Sequence, residues 1–194
     1  MVSFTRCWTR RPLELLAAAV LLLLVASGGH AAGIETEQAR FQLEGGIWVL
    51  DADLHLDLTP ALTEALESGV ALRVEHSIRI LSRRSWWRPD SEVARLTLNL
   101  DLTYHALTQR YLLYNHNSGH RASYANLHAA LGALQRLRDL PVIDAALLPA
   151  GQDHYGELRS QVAVDTLPLV LRPMDWFTNR WQLSSNWTAW PLET

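Results

Sequence analysis

The sequence predicts a mainly β domain of the α+β kind: an antiparallel, sandwich-like sheet of about seven strands with two short helices, preceded by an N-terminal signal peptide. Three observations predict it. From Glu92 onward Ala94, Leu96, Leu98, Leu100, Leu102 and Tyr104 alternate with Arg95, Thr97, Asn99, Asp101 and Thr103, a period of two that only a strand with one dry face explains. Leu72, Val74, His76, Ile78 and Ile80 alternate in the same way with Arg73, Glu75, Ser77 and Arg79, so the two segments are expected to pair antiparallel across the turn at 83–90. Arg6, Arg10 and Arg11 precede an apolar run from Leu15 to Ala26 and the small residues that end at Ala31 and Ala32, the layout of an export signal.

The expected division is therefore residues 1–32 as signal and 33–194 as one β-rich periplasmic domain. The alternative is an uncleaved anchor that holds the domain on the periplasmic side of the inner membrane, although the apolar run is short against the ~20 residues a spanning helix needs. The single cysteine, Cys7, lies in the signal, so packing rather than disulfides must hold the exported domain. Without Arg6, Arg10, Arg11 and Glu14 the 17 basic and 20 acidic residues become 14 and 19, a net charge of about −5 with histidine neutral. Such a balance argues against a nucleic-acid partner.

Each element has its own signal. Ile34 to Leu43 reads as a modest strand, and Glu44-Gly45-Gly46 as the hairpin turn after it. Trp48, Leu50, Ala52, Leu54, Leu56 and Leu58 alternate with Val49, Asp51, Asp53, His55 and Asp57 to give the next strand. Thr59 as N-cap, Pro60 at the first helical position and Gly69 past the end frame a short helix. Strands follow at 72–80, 92–104 and, after a turn at His105, 108–114, and Asn115 to Arg121 reads as a polar, flexible loop. Ser123 is expected to cap the second helix, with Tyr124, Leu127, Leu131, Leu134 and Leu137 at steps of three and four and Pro141 as its stop. Val142 to Gly151 reads as a packed connection containing at most a helical turn. Leu158 to Val164 is a strand, Leu167-Pro168 with Arg172-Pro173 an irregular edge crossing, and the tail carries Trp181, Leu183 and Trp187 at odd positions.

Candidate chemistry is sparse. Asp51, Asp53, His55 and Asp57 share one strand face, but neighbours two apart are splayed by ~6.5–7 Å, and a solvated face with arginines opposite is favoured over a cation site. His116 and His120 have ligand-like spacing in a loop where no further ligand completes a zinc set. His76 sits on an apolar face, where a hydrogen-bonded core histidine is expected. There is no Gly-x-Ser-x-Gly, no His-Glu-x-x-His, no Gly-rich phosphate loop and no lysine, so no catalytic residue, cofactor or metal is assigned. The candidate partner-binding residues are Arg83, Arg84, Trp86, Trp87 and Arg88. Adjacent tryptophans on an extended segment point opposite ways, so one is expected to pack inward and the other to carry an arginine on its ring, as an interface anchor. Bracing of the hairpin by both rings is the competing expectation. Tyr104 and His105, at the end of the long strand, are candidate cleft-lining residues.

Ala65-Leu66-x-x-Gly69-Val70-x-Leu72, Arg84-x-Trp86-Trp87, Leu102-x-Tyr104-His105-x-Leu107-Thr108-x-x-Tyr111, Leu127-x-x-Ala130-Leu131 and Val164-Asp165-x-Leu167-Pro168 follow one another along nearly all of the exported chain. This succession resembles the domain of unknown function 4390 family, exported proteins of Gram-negative bacteria. The resemblance carries over no catalytic residue. It implies a partner, because members are often encoded beside a membrane sensor histidine kinase. The expected function is a non-catalytic periplasmic binding module, an accessory to such a kinase. The alternatives are a carrier of an apolar ligand between sheet and helices and, third, a hydrolase.

Overall fold

The computed structural model describes residues 33–164 and 181–193. The expected signal peptide and the crossing at Leu167-Pro168 and Arg172-Pro173 lie outside the described residues. The chain runs β1 (Gly33–Glu44), β2 (Ile47–Asp57), α1 (Pro60–Glu67), β3 (Leu72–Ser82), β4 (Ser91–His105), β5 (Arg110–Asn115), β6 (Arg121–Tyr124), α2 (Leu127–Leu134), β7 (Arg136–Asp144), a 3-10 turn (Ala145–Leu147), β8 (His154–Val164), β9 (Gln182–Ser184) and β10 (Thr188–Glu193).

The class is mainly β, as expected, but the sandwich of about seven strands is corrected to a single, strongly curled mixed sheet. Nine strands run in the order β6-β5-β4-β3-β8-β10-β1-β2-β7, and β9 pairs with β8 beside them. The cause of the difference is β10. It pairs antiparallel with β8 from Thr188↔Leu158 to Pro191↔Tyr155 and parallel with β1 at Phe41↔Leu192 and Gln42↔Glu193, so it stitches the two halves of the sheet together.

The alternating segments pair as their periodicity requires. β3 and β4 are antiparallel from Leu72↔Leu102 to Ser82↔Ser91, which stacks Val74 on Leu100 and His76 on Leu98 on the inner face. Gly45 and Gly46, both at positive φ, make the two-residue hairpin between β1 and β2. A register shift between Thr36 and Gln38 inverts the parity of β1, so buried Ile34 is even and buried Phe41 odd. The fully buried Phe41 ring lies on Gly156 of β8, where a Cβ would overlap it. α1 is built as expected: the Thr59 hydroxyl accepts from the Leu62 N–H at 3.2 Å, Gly69 closes the turn at φ +86°, and Leu62 and Leu66 are buried in the core.

The second helix is the main local correction. The segment expected to be helical from Ser123 to Leu137 divides three ways. Ser123 belongs to β6, paired with Leu112, and the cap falls to Asn126, whose Oδ1 accepts from the Ala129 N–H at 2.8 Å. The helix stops at Leu134, and Arg136 to Asp144 joins the free edge of β2 as β7, running through Pro141. β7 ends the sheet, so a residue without an N–H is tolerated there. Unpaired backbone along β2 outweighs the local helical pattern. The turn between β7 and β8 is 3-10, within the connection expected at 142–151.

α1 packs on β4 and β8, α2 on β5, β6 and β7, and β7 reaches across to β4. The core is thus the inner face of the curl, in which Leu50, Leu72, Ile78, Ile80, Leu102 and Leu158 meet Leu62, Leu66 and Leu134 from the helices.

Candidate functional site

The register places one set of connections at one end of the sheet: the β1–β2 turn, the β3–β4 loop, and the β7–β8 connection, with the end of β10 beside the start of β8. The β3–β4 loop carries the candidate contact residues. Arg83 to Asp90 are all exposed. Trp86 is 97 % exposed and Trp87 60 %, so neither packs inward and neither braces the hairpin. Arg88 lies over the Trp87 ring at 4.2 Å, the expected cation–π contact. The base of the loop is tied down. The Arg84 N–H donates to Asp90 Oδ1 at 2.9 Å, the Tyr155 hydroxyl donates to Asp90 Oδ2 at 2.6 Å, and the Arg83 N–H donates to the Asp153 carbonyl at 2.8 Å. The bonds from Tyr155 and the Arg84 N–H hold the Asp90 carboxyl below its ordinary range, and the bond to Asp90, with burial adding to it, pushes the Tyr155 phenol up to about 12.

Beside the loop opens a groove of about 760 Å³, lined among others by Trp48, Arg83, Asp153, His154, Tyr155 and Trp190. The volume falls within the ~300–1,000 Å³ typical of ligand sites. Trp48 of β2 reaches this end because it pairs with Leu43 next to the β1–β2 turn. Periodicity placed Trp48 on a strand, but the expected strand at Leu158 to Val164 stopped short of Tyr155, and the meeting of the two depends on the pairing of β1 with β10, about 150 residues apart in sequence.

The other candidates fall elsewhere. Tyr104 is half-buried with its ring 4.9 Å from that of Tyr111, and His105 is exposed, its Nδ1 3.1 Å from the Thr108 hydroxyl. Both sit at the opposite end of β4, away from the groove beside the loop. His116 and His120 do not converge as ligands. His116 Nε2 lies 2.5 Å from Asp101 Oδ2, and Arg73 Nε donates to Asp101 Oδ1 at 3.1 Å. Burial raises the Asp101 carboxyl, but the bonds from Arg73 and His116 outweigh it and leave it below its ordinary range. On the face of β2, Arg138 of β7 pairs with Asp53, Asp51 accepts from the Asp139 N–H at 2.8 Å, and His55 bonds Asp57 at 2.9 Å. This is the face with arginine opposite that the alternation suggests. No group of three metal-binding side chains occurs among the described residues.

His76 is the residue whose setting periodicity anticipated most closely. It is 2 % exposed, and its Nδ1 lies 2.8 Å from the hydroxyl of the equally buried Ser160. Desolvation lowers its pKa to about 4. The Leu134 backbone pulls the other way without making a bond of standard geometry to Nε2, which has no partner. A serine and a histidine at this distance resemble a nucleophile and its base. Both are sealed in the core, so the pair serves packing and the neutral ring.

Between α2, β7 and the leucine face lies a smaller cavity of about 270 Å³, lined by Leu98, Leu100, Leu113, Tyr124, Leu137 and Leu140 among others. Ala130 and Leu134 themselves are buried and fill the space directly under the helix.

Fold and site together define a curled β-sheet domain with an exposed aromatic and arginine loop beside a groove at one end. The chain belongs to the domain of unknown function 4390 family, whose family model matches residues 31–191. No curated protein and no solved structure matches it. Among the described residues no helix is long and apolar enough to cross a membrane.

Proposed function

We propose that the domain is a non-catalytic binding module of the periplasm, with the Arg83 to Arg88 loop as its contact with an envelope protein. The single observation that carries this reading is Trp86 at 97 % exposure beside Trp87 at 60 %, on a loop anchored through Asp90 to Tyr155. Two neighbouring tryptophans in water forgo a large burial term, and Trp with Arg is the pairing that dominates protein interfaces. The family resemblance points to the periplasmic part of a membrane sensor histidine kinase as the partner, and export follows from the reading of residues 1–32. The test is co-purification of the neighbouring kinase with the chain in which Trp86, Trp87 and Arg84 are all alanine. Loss of the kinase with an unchanged melting curve supports the reading, and unchanged recovery of the kinase sinks it.

A second reading, carriage of an apolar ligand, draws on the 270 Å³ cavity beside α2. Its volume lies just below the range of ordinary ligand sites. Native mass spectrometry of the protein purified from its own envelope decides: a retained lipid favours the carrier, and a bare chain removes it.

A further inference from the structure

The groove beside the loop holds features that a contact through Trp86 and Trp87 leaves unused. Trp48, 4 % exposed, lines it, and its Nε1–H has no acceptor; His154 also lines it, and its Nε2 has no partner. Buried polar atoms without partners are costly, and each such atom calls for an explanation. A peptide carries both complements, a C=O for an indole N–H and an N–H for an imidazole nitrogen.

Charge specifies the ligand further. Three carboxylates line the groove, Asp90, Asp153 and Glu157, against one guanidinium, Arg83. Most of these groups are committed. Asp90 accepts from Tyr155, Glu157 pairs with Arg79 at 2.6 Å, and the Arg83 guanidinium lies over the Tyr155 ring at 5.5 Å. Asp153 gives only its backbone carbonyl, to the Arg83 N–H, and its carboxylate has no partner among the described residues. A free carboxylate with Trp190 lining the same groove is the setting in which a cationic side chain gains both a charge-assisted hydrogen bond and an aromatic face. A neutral saccharide could stack on a ring and donate its hydroxyls to Asp153, but it brings no positive charge to the acidic lining.

We propose that the groove takes an extended peptide segment of the partner protein, its arginine or lysine side chain at Asp153 and its backbone at Trp48 and His154. The proposal rests on the reading of this end of the sheet as a contact surface, but on residues outside the tryptophan loop. The experiment is an amide and indole NMR titration of the isotope-labelled exported chain. The probes are two blocked Gly/Ser hexapeptides, one with a central arginine and one with a central glutamate, and a neutral oligosaccharide.

The arginine peptide should move the Trp48 indole signal together with the Asp153 and Tyr155 amides. Asp153→Asn should weaken that binding by about three- to five-fold, as expected for an ion pair at an exposed carboxylate, and the glutamate peptide should bind weaker by at least a similar factor. The chain with Trp86, Trp87 and Arg84 replaced by alanine should bind the arginine peptide within about two-fold of the parent. Equal binding of the two peptides, no movement of these signals, or movement by the oligosaccharide alone would overturn the proposal. Kinase capture by the loop is read separately, so failure of the groove and failure of the loop are distinguishable.

Discussion

Lowering the pH should weaken this fold through His76 before any of the shifted carboxylates begins to titrate. The ring is buried and its pKa is depressed from 6.5 to about 4, with desolvation as the main cause. The unfolded chain therefore binds a proton between those values that the folded chain refuses, and stability falls as pH drops through 6.5 until the folded ring itself protonates near 4. At about 1.4 kcal/mol per pH unit the whole shift amounts to roughly 3 kcal/mol, of which about 2 kcal/mol is lost between about pH 7 and pH 5. The loss is a large fraction of the ~5–15 kcal/mol that holds a typical domain. Urea melts of the domain from Gly33 onward at the two pH values measure it, beside His76→Gln, which keeps a polar group for Ser160 and cannot titrate. The variant should be less stable than the parent at about pH 7 yet show most of the pH slope removed. A parent equally stable at both pH values, or a variant with the parent's slope, would refute the assignment of the titration to this ring.

Other consequences follow from single contacts. Gly156→Ala should cost about 1–3 kcal/mol, because its methyl overlaps the Phe41 ring, and pairing it with Phe41→Leu should recover part of that loss in a double-mutant cycle. Trp48→Ala should cost about 3–5 kcal/mol, while Trp86→Ala changes stability by no more than about 0.5 kcal/mol; comparable losses in thermal melts would contradict their placement. Asp101→Asn should destabilise by about 1–3 kcal/mol, since it weakens bonds from both Arg73 and His116. The Asp101 carboxylate is held below its ordinary range, so its contribution is complete above about pH 4 and disappears as pH falls through its folded pKa; acid titration of the parent against the variant reads this.

Where period and pairing agreed, the fold was legible from residue types. β2, β3 and β8 each present one dry face, β4 buries Leu98, Leu100 and Leu102 while Ala94, Leu96 and Tyr104 stay half-buried, and α1 carries its cap, its proline and its terminal glycine in order. β1 was legible only as a modest strand because the irregularity after Thr36 inverts its alternation. The segment from Ser123 to Leu137 repeats leucines at helical spacing through β6, α2 and the start of β7, and no local feature announces that Arg136 onward meets an unpaired edge. The loop at 83–90 was legible as a candidate contact from its Trp and Arg content. The exposure of both rings was not, nor was the bond from Tyr155, 65 residues away, that ties down the base of the loop at Asp90.

The residue pattern by itself determined the class of the domain, the antiparallel partnership of β3 and β4, the inward histidine at position 76 and the arginine-tryptophan loop, because each depends on neighbours within one strand or turn. Closure of the halves through β10, the division of the second helix and the meeting of Trp48, Tyr155 and Trp190 in one groove were decided only by tertiary structure. The physical reason is that backbone pairing between distant strands is set by which edges remain unsatisfied once the local elements have formed, and no window of sequence contains that information.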